Sequence, residues 1–159
     1  MYVNDRDGKL AIAMHSGRVA NYETMNNENL KGWYTGDGVT YIYGKDSESY
    51  VDFWPTVDDY HLPGVTNSLT PRGNKSGERR VPALLSPKAF VGGVESGKEA
   101  LVGMDMFSWN KQTEVKKSWF MIDGVTLAIA SNLDSRDGDI HTIIDNRILA
   151  DGKIYINGE

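Results

Sequence analysis

Short apolar runs separated by turn chemistry constrain this fold more than any other feature of the chain. From residue 89 onward the runs are AFVGGV (89–94), ALVGMDMF (100–107), VKKSWFMI (115–122) and TLAIAS (126–131). Each has the length of a strand and is too short for a stable helix. Asp123-Gly124 joins the last two and predicts a tight hairpin, because both central residues of such a turn need positive φ. Earlier, KLAIAM (9–14) follows the turn-like NDRDG (4–8) and reads as a strand that His15-Ser16-Gly17 breaks. Extended backbone is predicted to resume over 18–22, then over 30–34 and 39–43 on either side of the Thr35-Gly36-Asp37-Gly38 turn. Val39, Tyr41 and Tyr43 alternate with Thr40 and Ile42, as on a half-buried strand. Two further strands are predicted over 141–147 and 153–157. A helical turn begun near Ser47 is predicted to stop at Phe53-Trp54-Pro55, since proline disfavours helix at the residue before it. Residues 63–82, rich in Pro, Gly, Ser, Asn and charge, predict a long exposed loop that is mobile when nothing is bound. The loop carries the one strong basic cluster, Arg72, Lys75, Arg79 and Arg80. With no convincing amphipathic helix and no fixed-period repeat, the expectation is an all-β antiparallel sandwich with few or no helices, one domain over residues 1–159.

Composition excludes some partners. A net charge of −5, with acidic and basic residues interspersed, lacks the basic footprint of a nucleic-acid binder. No apolar run is long enough to span a membrane as a helix, so no membrane partner is expected. The absence of cysteine removes disulfides and thiolate metal sites and leaves the compartment open. No charged-then-apolar leader follows Met1, and strand-like sequence begins at once, so a piece of a larger protein is expected. His15, His61 and His141 are far apart in sequence and in no ligand-spaced pair. Ser16, Ser118 and Ser131 sit in no nucleophile elbow, and neither Gly92-Gly93 nor Gly97-Lys98 has phosphate-loop spacing.

The stretch 26–63 is different in kind. Trp33, Tyr34, Tyr41, Tyr43, Tyr50, Phe53, Trp54 and Tyr60 are interleaved with Asn26, Asn27, Glu28, Asn29, Asp37, Asp58 and Asp59. Flat rings with amides and carboxylates between them suit a ligand with apolar C–H faces and many hydroxyls, a sugar. The same residues also suit a sandwich core whose rings pack inward and whose Asn, Asp and Gly make turns. Glu28 and Asp37 form a candidate glycosidase pair, although sequence does not give their separation. Asp37 and Asp58-Asp59 are equally turn residues or oxygen ligands for calcium, in a chain for which no cofactor is otherwise expected.

Five blocks then stand in one order: NNENLKGWYTGDGVTYIY, FWPTVDDYHLPG, FVGGVESGKEALVGMDMF, KKSWFMIDGVTLAIASNL and TIIDNR. This series, spanning residues 10–157, closely resembles the central β-sandwich domain of polysaccharide lyase family 8, which includes hyaluronate, chondroitin AC and xanthan lyases. The resemblance implies part of a galactose-mutarotase-like super-sandwich. In this family it is joined to a helical α/α-toroid, with the substrate cleft between the two. It implies β-elimination on an acidic, uronic-acid-containing polysaccharide, in an extracellular or cell-surface parent enzyme. The family's catalytic Asn, His, Tyr and Arg come from the toroid, so this chain alone is expected to be inactive.

What the resemblance assigns to the β domain is the NxEN loop, matched by Asn26, Glu28 and Asn29. Glu28 takes a supporting catalytic role, pairing with a toroid arginine. Asn26 and Asn29, with Trp33 and Tyr34, are the expected substrate-binding residues. Asn27 stands where the family usually has Gly, a departure compatible with the xanthan-lyase branch. The expected partners are the acidic polysaccharide, the toroid, and a second copy of the chain through exposed strand edges. A free-standing carbohydrate-binding or structural sandwich is the alternative.

Overall fold

The computed structural model describes the backbone of residues 2–5 and all of residues 8–44, 48–77, 85–149 and 155–159. Among these the chain is almost wholly antiparallel β. Strands β1 (Tyr2–Asp5), β2 (Gly8–Met14) and β3 (Asp37–Tyr43) form one sheet in that order. β4 (Thr66–Ser68) pairs with β9 (Ile140–Thr142). β5 (Val91–Glu95), β6 (Ala100–Phe107), β7 (Thr113–Ile122) and β8 (Val125–Ser135) form a four-stranded meander.

The period of two in the sequence becomes a sandwich core. On β7 the inward row is Thr113, Val115, Lys117, Trp119 and Met121, and the alternate residues face out. Those apolar side chains, with Val102, Met104 and Met106 of β6, pack against Leu10 and Ile12 of β2. A second cluster, of Tyr22, Trp33, Tyr34, Val39, Phe53, Leu62 and Val65, fills the space beneath the connections. The Asp123-Gly124 hairpin forms as the sequence predicts, with φ of 50° and 76°. β8 lies at the end of its sheet with Val125, Leu127, Ile129 and Leu133 all exposed.

Several local expectations give way. No strand forms over 18–22, where an isolated bridge joins Ser16 and Val19. Residues 30–34 are turns. The reason is visible in Trp33 and Tyr34, which are both buried, whereas a strand sends successive side chains to opposite faces. The helical turn expected near Ser47 forms over Glu48–Tyr50 and ends before Phe53, but proline does not exclude helix at 53–55: a second single turn spans Phe53–Thr56 with Pro55 inside it. In a first turn the missing N–H has no intrahelical partner to lose. The exposed-loop reading of 63–82 is overturned for its first part, since Thr66–Ser68 is a buried strand and Val65 is fully enclosed. Arg72 is pinned against Asp137, while Arg79 and Arg80 lie outside the described residues. The strand expected over 141–147 is confined to Ile140–Thr142. Of the one expected over 153–157, the first two residues lie outside the described set. Ile156 and Glu159 then exchange backbone hydrogen bonds in a turn.

Candidate functional site

The 26–29 loop is a tight projection built on left-handed backbone. Asn26, Asn27 and Asn29 have φ of 50°, 62° and 50°. Asparagine tolerates that region better than most residues, which explains three Asn in four positions. The Glu28 amide donates to the Met25 carbonyl at 2.7 Å, closing the turn. Thr24 Oγ1 donates to the Glu28 carbonyl at 2.6 Å, and Asn29 Nδ2 to the Glu23 carbonyl at 2.8 Å. Gly32 packs where a Cβ would strike the Tyr22 ring and the Asn29 side chain, so the loop closes on a glycine. All four side chains from 26 to 29 are exposed. Asn26, Glu28 and Asn29 are therefore brought together at the surface.

Beside the loop is a groove of about 530 Å³, lined by Asn29, Lys31, Thr35, Trp54, Asp59 and Asn74 among others. The Trp54 ring is 52% exposed and is supported edge-on by Phe53 at 5.2 Å between ring centroids. Lys31 Nζ lies 3.2 Å from Asp59 Oδ2. The groove therefore offers an aromatic face, two amides and the Lys31–Asp59 ion pair close together. Those groups suit a sugar ring bearing hydroxyls.

Trp33 and Tyr34 are not part of that surface. They are 2% and 3% exposed and belong to the core. Trp33 Nε1 donates to the Gly73 carbonyl at 3.0 Å, and Tyr34 OH accepts from Arg72 Nε at 3.0 Å. Their polar tips satisfy buried partners, and no ring face is left for a ligand. The aromatic that does face out is Trp54. Its sequence signal was present in FWP, but nothing in that string says which of two adjacent rings turns inward. Asn74 carried no signal beyond its place in a polar loop.

The other singled-out carboxylates have partners within the chain. Asp37 is buried, with Oδ1 2.9 Å from His15 Nε2, an ion-pair distance that lies off the line of a good hydrogen bond. A glycosidase pair of Glu28 and Asp37 is thereby overturned, because a buried acid cannot reach substrate. Lys117 Nζ hydrogen-bonds the Asp37 carbonyl at 3.4 Å and also the Gly64 carbonyl. Burial pushes this ammonium down from 10.5 to about 8, against the partial support of the Asp37 charge. Asp58 accepts from the Tyr60 amide at 2.9 Å and contacts His61 Nδ1 at 2.8 Å, bonds that hold its carboxyl below the usual range. Among the described residues, no three His, Asp or Glu side chains gather closely enough to hold a metal ion.

Comparison with known proteins bears on this geometry. Residues 1–159 match the family described as polysaccharide lyase family 8, super-sandwich domain. The chain is 38% identical over 149 residues to a hyaluronate lyase of Thermasporomyces composti, covering 91% of this chain and 19% of that protein. It is 40% identical over 142 residues to a xanthan lyase of a Bacillus species, covering 88% of this chain and 14% of the other. A solved structure of Streptomyces coelicolor chondroitin AC lyase in complex with chondroitin sulphate superposes with a TM-score of 0.83 at 33% identity. It covers 92% of this chain and 20% of the solved one. The chain thus spans roughly a tenth to a fifth of the length of the relatives it matches.

Proposed function

This chain belongs to polysaccharide lyase family 8, and from that we propose that it forms the sandwich-side wall of a cleft for an acidic, uronic-acid-containing polysaccharide. The observation that carries the reading is the exposed 26–29 loop standing beside the Trp54 groove. Asn26 and Asn29 offer amides to sugar hydroxyls, and Trp54 offers a stacking face. Glu28, exposed on the loop, pairs in this reading with a cation brought by a facing domain. Such a pair gains strength as the cleft closes and water leaves it.

The reaction assigned to the whole enzyme is β-elimination. The C5 proton of the uronate is removed, the C4–oxygen bond breaks with its electrons going to the leaving oxygen, and a C4–C5 double bond forms. By family resemblance the base, the acid and the carboxylate-neutralising amide come from the helical toroid. The isolated chain binds without turning over. An extracellular parent is part of the same proposal.

Absorbance of the unsaturated uronate product tests it, with the purified chain on hyaluronan, chondroitin and xanthan pretreated for lyase assays. The expected result is a cooperatively folded protein and no product. Robust turnover would mean that the sandwich carries its own base. The second reading, a free-standing carbohydrate-binding module, is favoured by the openness of the Trp54 groove to solvent. It predicts full affinity for neutral and acidic oligosaccharides alike, whereas the lyase reading predicts preference for the acidic ones.

A further inference from the structure

We infer that residues 72–77 act as a strap that sets the shape of the 26–29 loop, and that Asp137 is the positioning residue that fastens it. The inference rests on the reading of that loop as polysaccharide-facing.

The strap meets the loop-bearing segment along its length. The Gly73 carbonyl accepts from Trp33 Nε1 at 3.0 Å, and the Ser76 carbonyl accepts from Tyr22 OH at 2.9 Å. The Lys75 amide donates to the Leu30 carbonyl at 2.7 Å, and its Nζ reaches Asn27 Oδ1 at 3.3 Å. The Gly77 carbonyl accepts from Asn21 Nδ2 at 3.1 Å. These bonds lie on both sides of residues 26–29, so the strap holds both flanks of the loop.

The strap has no strand pairing of its own and is fixed at Arg72. The guanidinium donates from Nη2 to Asp137 Oδ2 at 2.5 Å and to Ser68 Oγ at 2.9 Å, and it lies over the Trp109 ring. The two side chains are only 7% and 13% exposed. Asp137 Oδ2 also accepts from Ser68 Oγ at 2.7 Å and Asn110 Nδ2 at 3.0 Å. At the other end Gly77, at φ 76°, packs where a Cβ would strike Trp109, so the strap is clamped at two points on the same ring. Asp137 lies in the β8–β9 connection, far from the groove in sequence. Among the described residues no hydrogen bond joins Asp137 to a groove-lining residue, so its link to the loop runs through Arg72.

Asp137→Asn keeps the side-chain shape and removes the charge that holds Arg72. Amide hydrogen exchange on the full chain, with titration by a hyaluronan hexasaccharide, reads the outcome. The Glu28 and Lys75 amides are expected to exchange at least about tenfold faster, with those of β7 unchanged. Affinity is expected to fall about tenfold, as for a loop that is competent a tenth of the time. Tyr22→Phe, which removes one strap bond and keeps the buried ring, serves as a milder second variant and is expected to shift the same amides in the same direction. Unchanged loop amides in both folded variants would overturn the inference, as would equal acceleration of the β7 amides. Wild-type chain that never binds the hexasaccharide would sink the polysaccharide reading, while the exchange data still decide on the strap.

Discussion

The buried ammonium of Lys117 makes a prediction whose sign can be worked through completely. Its pKa in the folded chain is about 8, against 10.5 for an unhindered lysine, chiefly because burial penalises the charged form. Between those two values the unfolded chain still holds the proton that the folded chain has lost. Stability therefore rises with pH across that window and is flat, for this group, below it. At ~1.4 kcal/mol per pH unit the full gain is about 3 kcal/mol. The tyrosines act in the opposite direction at higher pH. Burial, with Tyr43 and Tyr50 nearby, pushes Tyr41 from 10.0 up to about 12, and burial also raises Tyr34 and Tyr50. Their contribution is fully present below the unfolded value near 10 and is lost as pH climbs through the folded values. The combined contribution of these four groups is thus expected to peak near pH 10. Lys117→Met isolates the lysine, because the tyrosines, His15 and Asp37 remain in both proteins. Urea unfolding followed by tryptophan fluorescence, at half-unit steps from pH 7 to 10.5, gives the difference directly. The wild type should gain about 3 kcal/mol on the variant across the series. A difference independent of pH would refute the reasoning and mean that Lys117 titrates as a solvated amine.

Three other outcomes are expected. Trp54→Ala should weaken binding of acidic oligosaccharides by roughly tenfold, with unfolding midpoints nearly unchanged, whereas Trp33→Ala should cost about 3–5 kcal/mol of stability as a core deletion. Burial would raise Asp137, but hydrogen bonds from Ser68, Asn110 and Arg72 outweigh it and hold the carboxyl low. Its contribution to stability is present above the unfolded carboxylate value and lost as pH falls through the folded one, so Asp137→Asn should flatten the acid limb of the stability curve. The exposed edge of β8, which is apolar over Val125, Leu127 and Ile129 and carries Asp134 near its end, should drive self-association at high concentration. In light scattering, Ile129→Lys should return the chain to monomer, and a wild type monomeric at all concentrations would exclude that route.

The long periodic elements could be read directly from the sequence, and the irregular ones could not. β6, β7, β8 and the Asp123-Gly124 turn follow from alternation and from a dipeptide that accepts positive φ. Residues 30–34 read as extended because Trp33 and Tyr34 have strand propensity, while their packing demands a turn that buries both. Pro55 reads as a helix stop, although in a one-turn helix it removes no bond. The site divided in the same way. Asn26, Glu28 and Asn29 stand out in the sequence only through the NxEN block of the family resemblance, and the left-handed backbone of Asn26, Asn27 and Asn29 is what the structure adds. Trp54 carries no sequence mark of a surface ring, because burial is decided by what the neighbouring ring does. The Arg72–Asp137 pin joins residues 65 positions apart, and no local pattern marks either partner.

The central claim is that the 26–29 loop and the Trp54 groove together face an acidic polysaccharide. Amide and indole chemical shifts of the wild-type chain, recorded during titration with a hyaluronan hexasaccharide, test it most directly. The account predicts saturable shifts at Asn26, Glu28, Asn29 and the Trp54 indole, with Trp33 little affected. Shifts confined to other surfaces, or none at saturating ligand, would contradict it.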